Sequence, residues 1–284
     1  MRRTVTFQLL AGAVFFGLLT VLGYLLFVLT VPGQEYDFIG YYGHDDVYPG
    51  TVRLAKVLMK MVSLTSLLTA SAMLLAISLL RRRFLLGLMA VAGLFVALAG
   101  TELMKGHLPR PSLVVPRQSI SGFLATESYP SGHTTFATCV GLGFVLVSSA
   151  RWRPWVASLA GVLSAAYGIS VVFVGAHRPA DPIGGIFWSA FCMALAAALA
   201  VRLRGRTRLP DPHLPALALG AALCLLVALA TLFCTAGLPP TYHPLLVMIA
   251  VIVTSAFATT AWFGRALSGE SELPEADSVP APAL

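Results

Sequence analysis

The sequence predicts an all-α bundle of membrane-spanning helices, and three observations carry that prediction. Of 284 residues, 57% are hydrophobic. Only 11% are charged, against about 25% in a soluble globular chain. Apolar runs of about 20 residues, each long enough to cross a bilayer, recur along the chain with basic clusters between them. The mean hydropathy of +0.83 agrees, and it excludes disorder over most of the length.

The runs, taken in order, are Gln8–Val31, Lys56–Leu80, Phe84–Met104, His133–Ala150, Trp155–Ala176, Pro182–Val201, Leu214–Cys234 and Pro244–Phe263. The first follows Arg2 and Arg3. It exceeds the roughly 7–15 residues of a signal-peptide core and is read as a retained anchor helix. Between the first two runs, Pro32–Ala55 is polar, with Glu35, Asp37, Asp45 and Asp46 among tyrosines, and reads as an outer interface loop. The end of the chain, from Gly264 to Leu284, is rich in Pro, Ala, Ser and Glu and reads as a disordered tail. Cys139, Cys192, Cys224 and Cys234 sit within or at the ends of apolar runs, without metal-ligand spacing, and read as packing residues.

The net charge of +7 does not point to nucleic acid, because the basic residues lie in short clusters between apolar runs. With the N-terminus in the cytoplasm, inside segments carry Arg2, Arg3, Arg81, Arg82, Arg83, Arg151, Arg153, Arg202, Arg204, Arg206, Arg208 and Arg265. The positive-inside rule then places both termini in the cytoplasm.

Under that topology the ionisable exceptions fall on the outer side, in three segments. Lys105-Gly-His-Leu-Pro-Arg110-Pro111 follows the third run. Its basic residues either snorkel to the interface or clamp a phosphate, arginine with a rigid fork and lysine as a point charge. Tyr129-Pro130-Ser131-Gly132-His133 opens the fourth run. Ser131 is either a plain helix cap or part of an anion site, where free backbone N–H groups meet the helix dipole and Gly132 admits close approach. Gly175-Ala176-His177-Arg178-Pro179-Ala180-Asp181 ends the fifth. His177 and Asp181, four apart, share a face if the segment is helical, and the carboxylate then fixes the imidazole tautomer. The bland alternative is an interfacial histidine beside a helix-capping aspartate.

Lys…Arg-Pro, then Pro-Ser-Gly-His, then His-x-x-x-Asp, in this order, resembles the type 2 phosphatidic acid phosphatase (PAP2) superfamily, in its membrane lipid-phosphate phosphatase branch. The tetrad Pro130–His133 is its most specific part. The resemblance spans about Gln8 to Val201 and implies a six-helix catalytic core over residues 1–203, with residues 204–263 as an additional transmembrane pair. It implies His177 as the nucleophile that forms a phosphohistidine, Asp181 as its orienting carboxylate and His133 as proton donor to the leaving alcohol. It implies Lys105, Arg110, Ser131 and Gly132 as phosphate-holding groups, with no metal or other cofactor. The partner implied is a lipid phosphate in the bilayer.

Two departures from the family pattern stand out. Four residues rather than six separate Lys105 from Arg110, and Val171 follows Ser170 where the family carries an arginine. Arg178 or Arg117 is the expected substitute, Arg178 because it lies seven residues after Val171, almost two turns along a continuous helix. Without the substitute charge, the reading becomes an inactive relative that binds lipid headgroups. A transporter reading needs polar residues at the bilayer midplane or matching interrupted helices, and these polar residues gather at one boundary instead.

Overall fold

The computed structural model describes residues 5–114, 128–204 and 243–267. Among these residues the chain is helical without strands. The helices are α1 (Val5–Gly23, running on through a wider turn to Val28), α2 (Val31–Tyr42), α3 (Pro49–Lys60), α4 (Leu64–Leu80) and α5 (Phe84–His107). They continue with α6 (Gly132–Val147), α7 (Arg153–Phe173), α8 (Ala180–Arg204) and α9 (His243–Ala266). Five are long and apolar enough to cross a membrane: α1 with its extension, α5, α7, α8 and α9. The chain is a polytopic membrane protein.

The centre of the bundle is α6. Nearly every residue from Thr134 to Val147 is buried, so this helix faces protein all round, as an apolar central helix should. It contacts α4, α5, α7, α8 and α9, while α1 lies along α8 and α9 along α7. Small residues set the closest approaches. A Cβ on Gly141 would stand 2.7 Å from the Ala160 Cβ of α7. Polar side chains inside are paired locally, as where Thr138 and Ser164 share a 2.5 Å bond between α6 and α7.

At the end opposite the candidate site, arginines hold helix C-termini together. Arg81 Nη1 donates to the Val147 carbonyl at 2.6 Å. Arg153 donates through Nη2 to Ser148 O at 3.0 Å and through Nη1 to Leu267 O at 2.7 Å. The last carbonyls of a helix lack partners within it, and guanidinium groups complement the negative helix ends. Two residues read as topology signals therefore also join α4, α6 and α9.

The structure corrects the sequence reading in three places. Lys56–Leu80 is not one continuous helix. It breaks at Met61–Ser63, and α3 and α4 meet at 65°. Ser63 starts α4 with a capping box in which its side chain accepts from Ser66 N at 3.2 Å. Pro32–Ala55 is not a loop but α2, a short helical turn and most of α3. Thr30 caps α2 through its Oγ1, which accepts from Gly33 N at 3.1 Å, and Pro32 and Pro49 occupy first-turn positions where their missing N–H costs nothing. The fifth run ends at Phe173 rather than Ala176. Gly175, at φ +69°, lets Ala176 N and His177 N turn back to the Val171 carbonyl at 3.0 and 3.1 Å. Val171 and Arg178 are thus not on one continuous helix. The expected run Leu214–Cys234, Arg117 and most of the expected tail lie outside the described residues.

The last described helix is part of the packed body. Leu245, Ile252, Val253, Ala256 and Phe257 of α9 share one buried cluster with Val171 and Val172 of α7 and Ile186 of α8.

Candidate active site

The three polar segments converge where α5 ends and where α6 and α8 begin. The last turn of α5 carries Lys105, whose Nζ pairs with Glu102 Oε1 at 2.7 Å. Beyond α5 the chain runs extended, and Tyr24 O–H donates to Pro109 O at 2.5 Å. This holds the extended segment that delivers Arg110 inward, where it is 8% exposed.

Arg110 is the hub. Its Nη1 donates to Asp181 Oδ1 at 2.7 Å and to Ser128 Oγ at 2.5 Å, and its Nη2 to Asp37 Oδ2 at 3.2 Å. Its Nε is buried without a hydrogen-bond partner among the described residues. Burial opposes the Arg110 charge, and the Asp181 and Asp37 carboxylates more than offset it, so the guanidinium titrates above its ordinary value.

The start of α6 supplies the second wall. Ser131 is its N-cap, and its Oγ accepts from Thr134 N at 3.5 Å and from Thr134 Oγ1 at 3.2 Å. Ser131 N donates to the Asp181 carbonyl at 2.9 Å, which ties this turn to the start of α8. A Cβ on Gly132 would stand 3.2 Å from Lys105 Nζ, so the lysine lies over the first backbone turn of α6. His133 is half-buried there, close enough to His177, Lys105 and Glu102 to feel their charge.

The third wall is the turn between α7 and α8. His177 Nδ1 lies 3.2 Å from Asp181 Oδ2, although His177 precedes α8 and Asp181 is in its first turn. The same Oδ2 accepts from Arg178 N at 3.1 Å. Asp181 therefore holds the imidazole and the turn that carries it, and Arg110 holds Asp181 from the other side. The Arg178 guanidinium lies 4.2 Å over the Phe38 ring. Burial, then the neighbouring Arg110 charge, lower it to about 10, which leaves it protonated at neutral pH.

The structure thus gathers Lys105, Arg110, Ser131, Gly132, His133, His177, Arg178 and Asp181 at one end of the bundle. Val171 faces away, fully buried in the apolar cluster with α9.

Sequence reasoning missed Asp37. It is wholly buried, and its Oδ1 accepts from Ala180 N at 2.8 Å, capping α8 from another helix. Other residues of α2 act beside it. Gln34 Nε2 donates to Pro111 O at 2.6 Å, Gln34 Oε1 accepts from Leu113 N at 3.1 Å, and Tyr41 O–H donates to Gly175 O at 3.3 Å. Helix α2 is a strap across the Arg110 segment and the His177 turn. Gln34, Asp37, Phe38 and Tyr41 are spaced i, i+3, i+4, i+7, a helical stripe that was present in the sequence.

Burial pushes the Asp37 carboxyl up to about 7 from 3.8, with Arg110 opposing and Asp181 adding to the rise. Between those two values the folded chain keeps a proton that the unfolded chain has shed. The resulting contribution to stability is full below about 4 and is lost as pH rises through about 7. Thermal unfolding of the purified protein across this range should show that decline, and Asp37→Asn should flatten it. An unchanged slope in the variant would assign the decline to another group.

Residues 82–206 match the family model of the PAP2 superfamily. The matched stretch covers α5 through α8 and all three polar segments, whereas Asp37 and α9 lie outside it. No curated protein and no solved structure matches the chain.

Proposed function

From the premise that residues 82–206 belong to the PAP2 superfamily, whose membership implies phosphatase chemistry, we propose that this chain hydrolyses a lipid phosphate at the outer membrane interface through a phosphohistidine. The observation that carries the proposal is the chain of contacts from His177 through Asp181 to Arg110. It fixes an imidazole beside a cluster of cations, at one end of a bundle whose flanks face lipid. Both termini are cytoplasmic in this reading, and the site faces outward from the cell membrane.

With Nδ1 committed to Asp181, attack falls to His177 Nε2. As the N–P bond forms, the bond from phosphorus to the lipid oxygen breaks, and His133 gives that oxygen its proton. His133 then takes a proton from water, whose oxygen attacks phosphorus. The N–P bond breaks and phosphate leaves. Lys105, Arg110 and Arg178 supply fixed positive charge around the transferring oxygens, and the Ser131 hydroxyl and the Gly132 N–H at the start of α6 add donors. Candidate substrates are phosphatidic acid, phosphatidylglycerol phosphate, a polyprenyl pyrophosphate or a polyprenyl-linked sugar phosphate.

Phosphate release from a panel of these lipids, by purified protein in detergent with chelator present, tests the proposal. Release from at least one lipid, lost in a His177→Ala control, supports it. Folded protein that releases nothing from any of them sinks it and favours a headgroup-binding relative, the reading that Val171 motivates.

Arg178 takes over the charge that the family arginine would provide at position 171. Arg178→Ala should lower kcat about 10²- to 10³-fold, the cost of losing one transition-state donor. Unaltered kcat would remove Arg178 from the phosphate cradle.

A further inference from the structure

Helix α3 presents two faces that none of the described residues covers. Its inward side is Ala55, which is buried, and Met59, which packs against the cluster of Val171 and Val172. Helix α3 therefore lies against α7, at the end from which the His177 turn departs. At about 100° per residue, Lys56, Lys60 and Arg53 form one stripe beside that inward side. Val57, Met61 and Leu54 form the next stripe round, and all six side chains are exposed. The helix carries no acidic residue. It also meets α4 at 65°, so it does not run on along the axis of that helix.

We propose that α3 lies in the membrane interface on the side of the candidate site and binds the headgroups of anionic phospholipids. The Leu54, Val57 and Met61 stripe enters the acyl boundary, and Arg53, Lys56 and Lys60 meet the phosphates above it. Charge complementarity fixes the partner. Three cations without a counter-charge on their own helix, flanked by an apolar stripe, form the pattern of an interfacial amphipathic helix on an anionic surface. A zwitterionic surface satisfies the apolar stripe alone. This inference does not rest on the phosphatase reading, because it concerns binding outside the His177 cleft.

The test titrates the purified full-length protein, in neutral detergent, with dioctanoyl phosphatidylglycerol and reads the rise in unfolding temperature. Parallel arms use dioctanoyl phosphatidylcholine and inorganic phosphate. The wild type should be stabilised selectively by the anionic lipid. In the triple variant Arg53→Gln, Lys56→Gln and Lys60→Gln, the half-saturating lipid concentration should rise about a hundredfold, from about fivefold for each basic residue. Lys60→Gln alone, which removes one exposed charge, should give about fivefold and serves if the triple variant does not fold. Arg82→Gln, at the far end of the bundle, should leave the titration unchanged. Equal stabilisation by phosphatidylcholine would overturn the proposal. So would an unchanged titration in the α3 variants, or full stabilisation by inorganic phosphate, which would place the effect in the His177 cleft.

Discussion

Replacing His177 by alanine should lower kcat by about 10⁴-fold or more, the scale seen when a nucleophile is removed. The prediction follows from what stays in place when the imidazole is removed. It lies in a turn rather than a helix, and Asp181 keeps its bonds to Arg110 and to Arg178 N when the imidazole is gone. Unfolding temperature should therefore stay near that of the wild type while turnover disappears. Rapid quenching of the wild type with a 32P-labelled lipid phosphate should trap label on the protein. That label should be acid-labile and stable to alkali, as a phosphorus–nitrogen bond is, and absent from the variant. A variant that retains turnover would require a different nucleophile and would remove the phosphohistidine from the scheme.

Arg110→Ala should have the largest structural effect of any single substitution in the site. Its guanidinium stands between Asp37 and Asp181, both fully buried, and also bonds Ser128. Removing it leaves two carboxylates without their shared countercharge, at a cost of about 3–5 kcal/mol. Activity should fall with stability, because Asp181 also orients His177. Arg110→Lys should not restore either property, since a single ammonium cannot reproduce a planar fork that reaches two carboxylates and a hydroxyl. Adding Asp37→Asn to Arg110→Ala removes one of the two buried carboxyl groups left without the arginine and should recover part of the lost stability. Chemical denaturation of the four proteins in a double-mutant cycle measures the coupling. Strict additivity would mean that Asp37 and Arg110 act independently despite their 3.2 Å contact.

The residues most legible in the sequence were those whose chemistry is costly beside a membrane. Histidines, an arginine and an aspartate at the ends of apolar runs have few structural reasons to be there, so His133, His177, Arg110 and Asp181 stood out. Asp37 did not, because a carboxylate in a polar segment looks like any solvated one until α2 is docked. Its partners, Arg110 and Ala180 N, are 73 and 143 residues away. The break between α3 and α4 escaped for another reason. Hydropathy averaged over twenty residues passes across Ser63, whereas the capping box that ends the run depends on two serines three apart. The turn at Gly175 was hidden likewise, since the apolar run continues to Ala176 while the helix stops at Phe173.

The enclosure of α6 bears on how the protein is made. At 16 residues this helix is shorter than a bilayer's apolar thickness requires, and it is flanked on every side by other helices rather than by lipid. Its walls are complete only when α4, α5, α7, α8 and α9 are all in place. A nascent chain stopped before α8 therefore holds His133, at the first turn of α6, and lacks Asp181. Turnover by the protein, in a cell or in a detergent extract, accordingly reports completed assembly as well as chemistry.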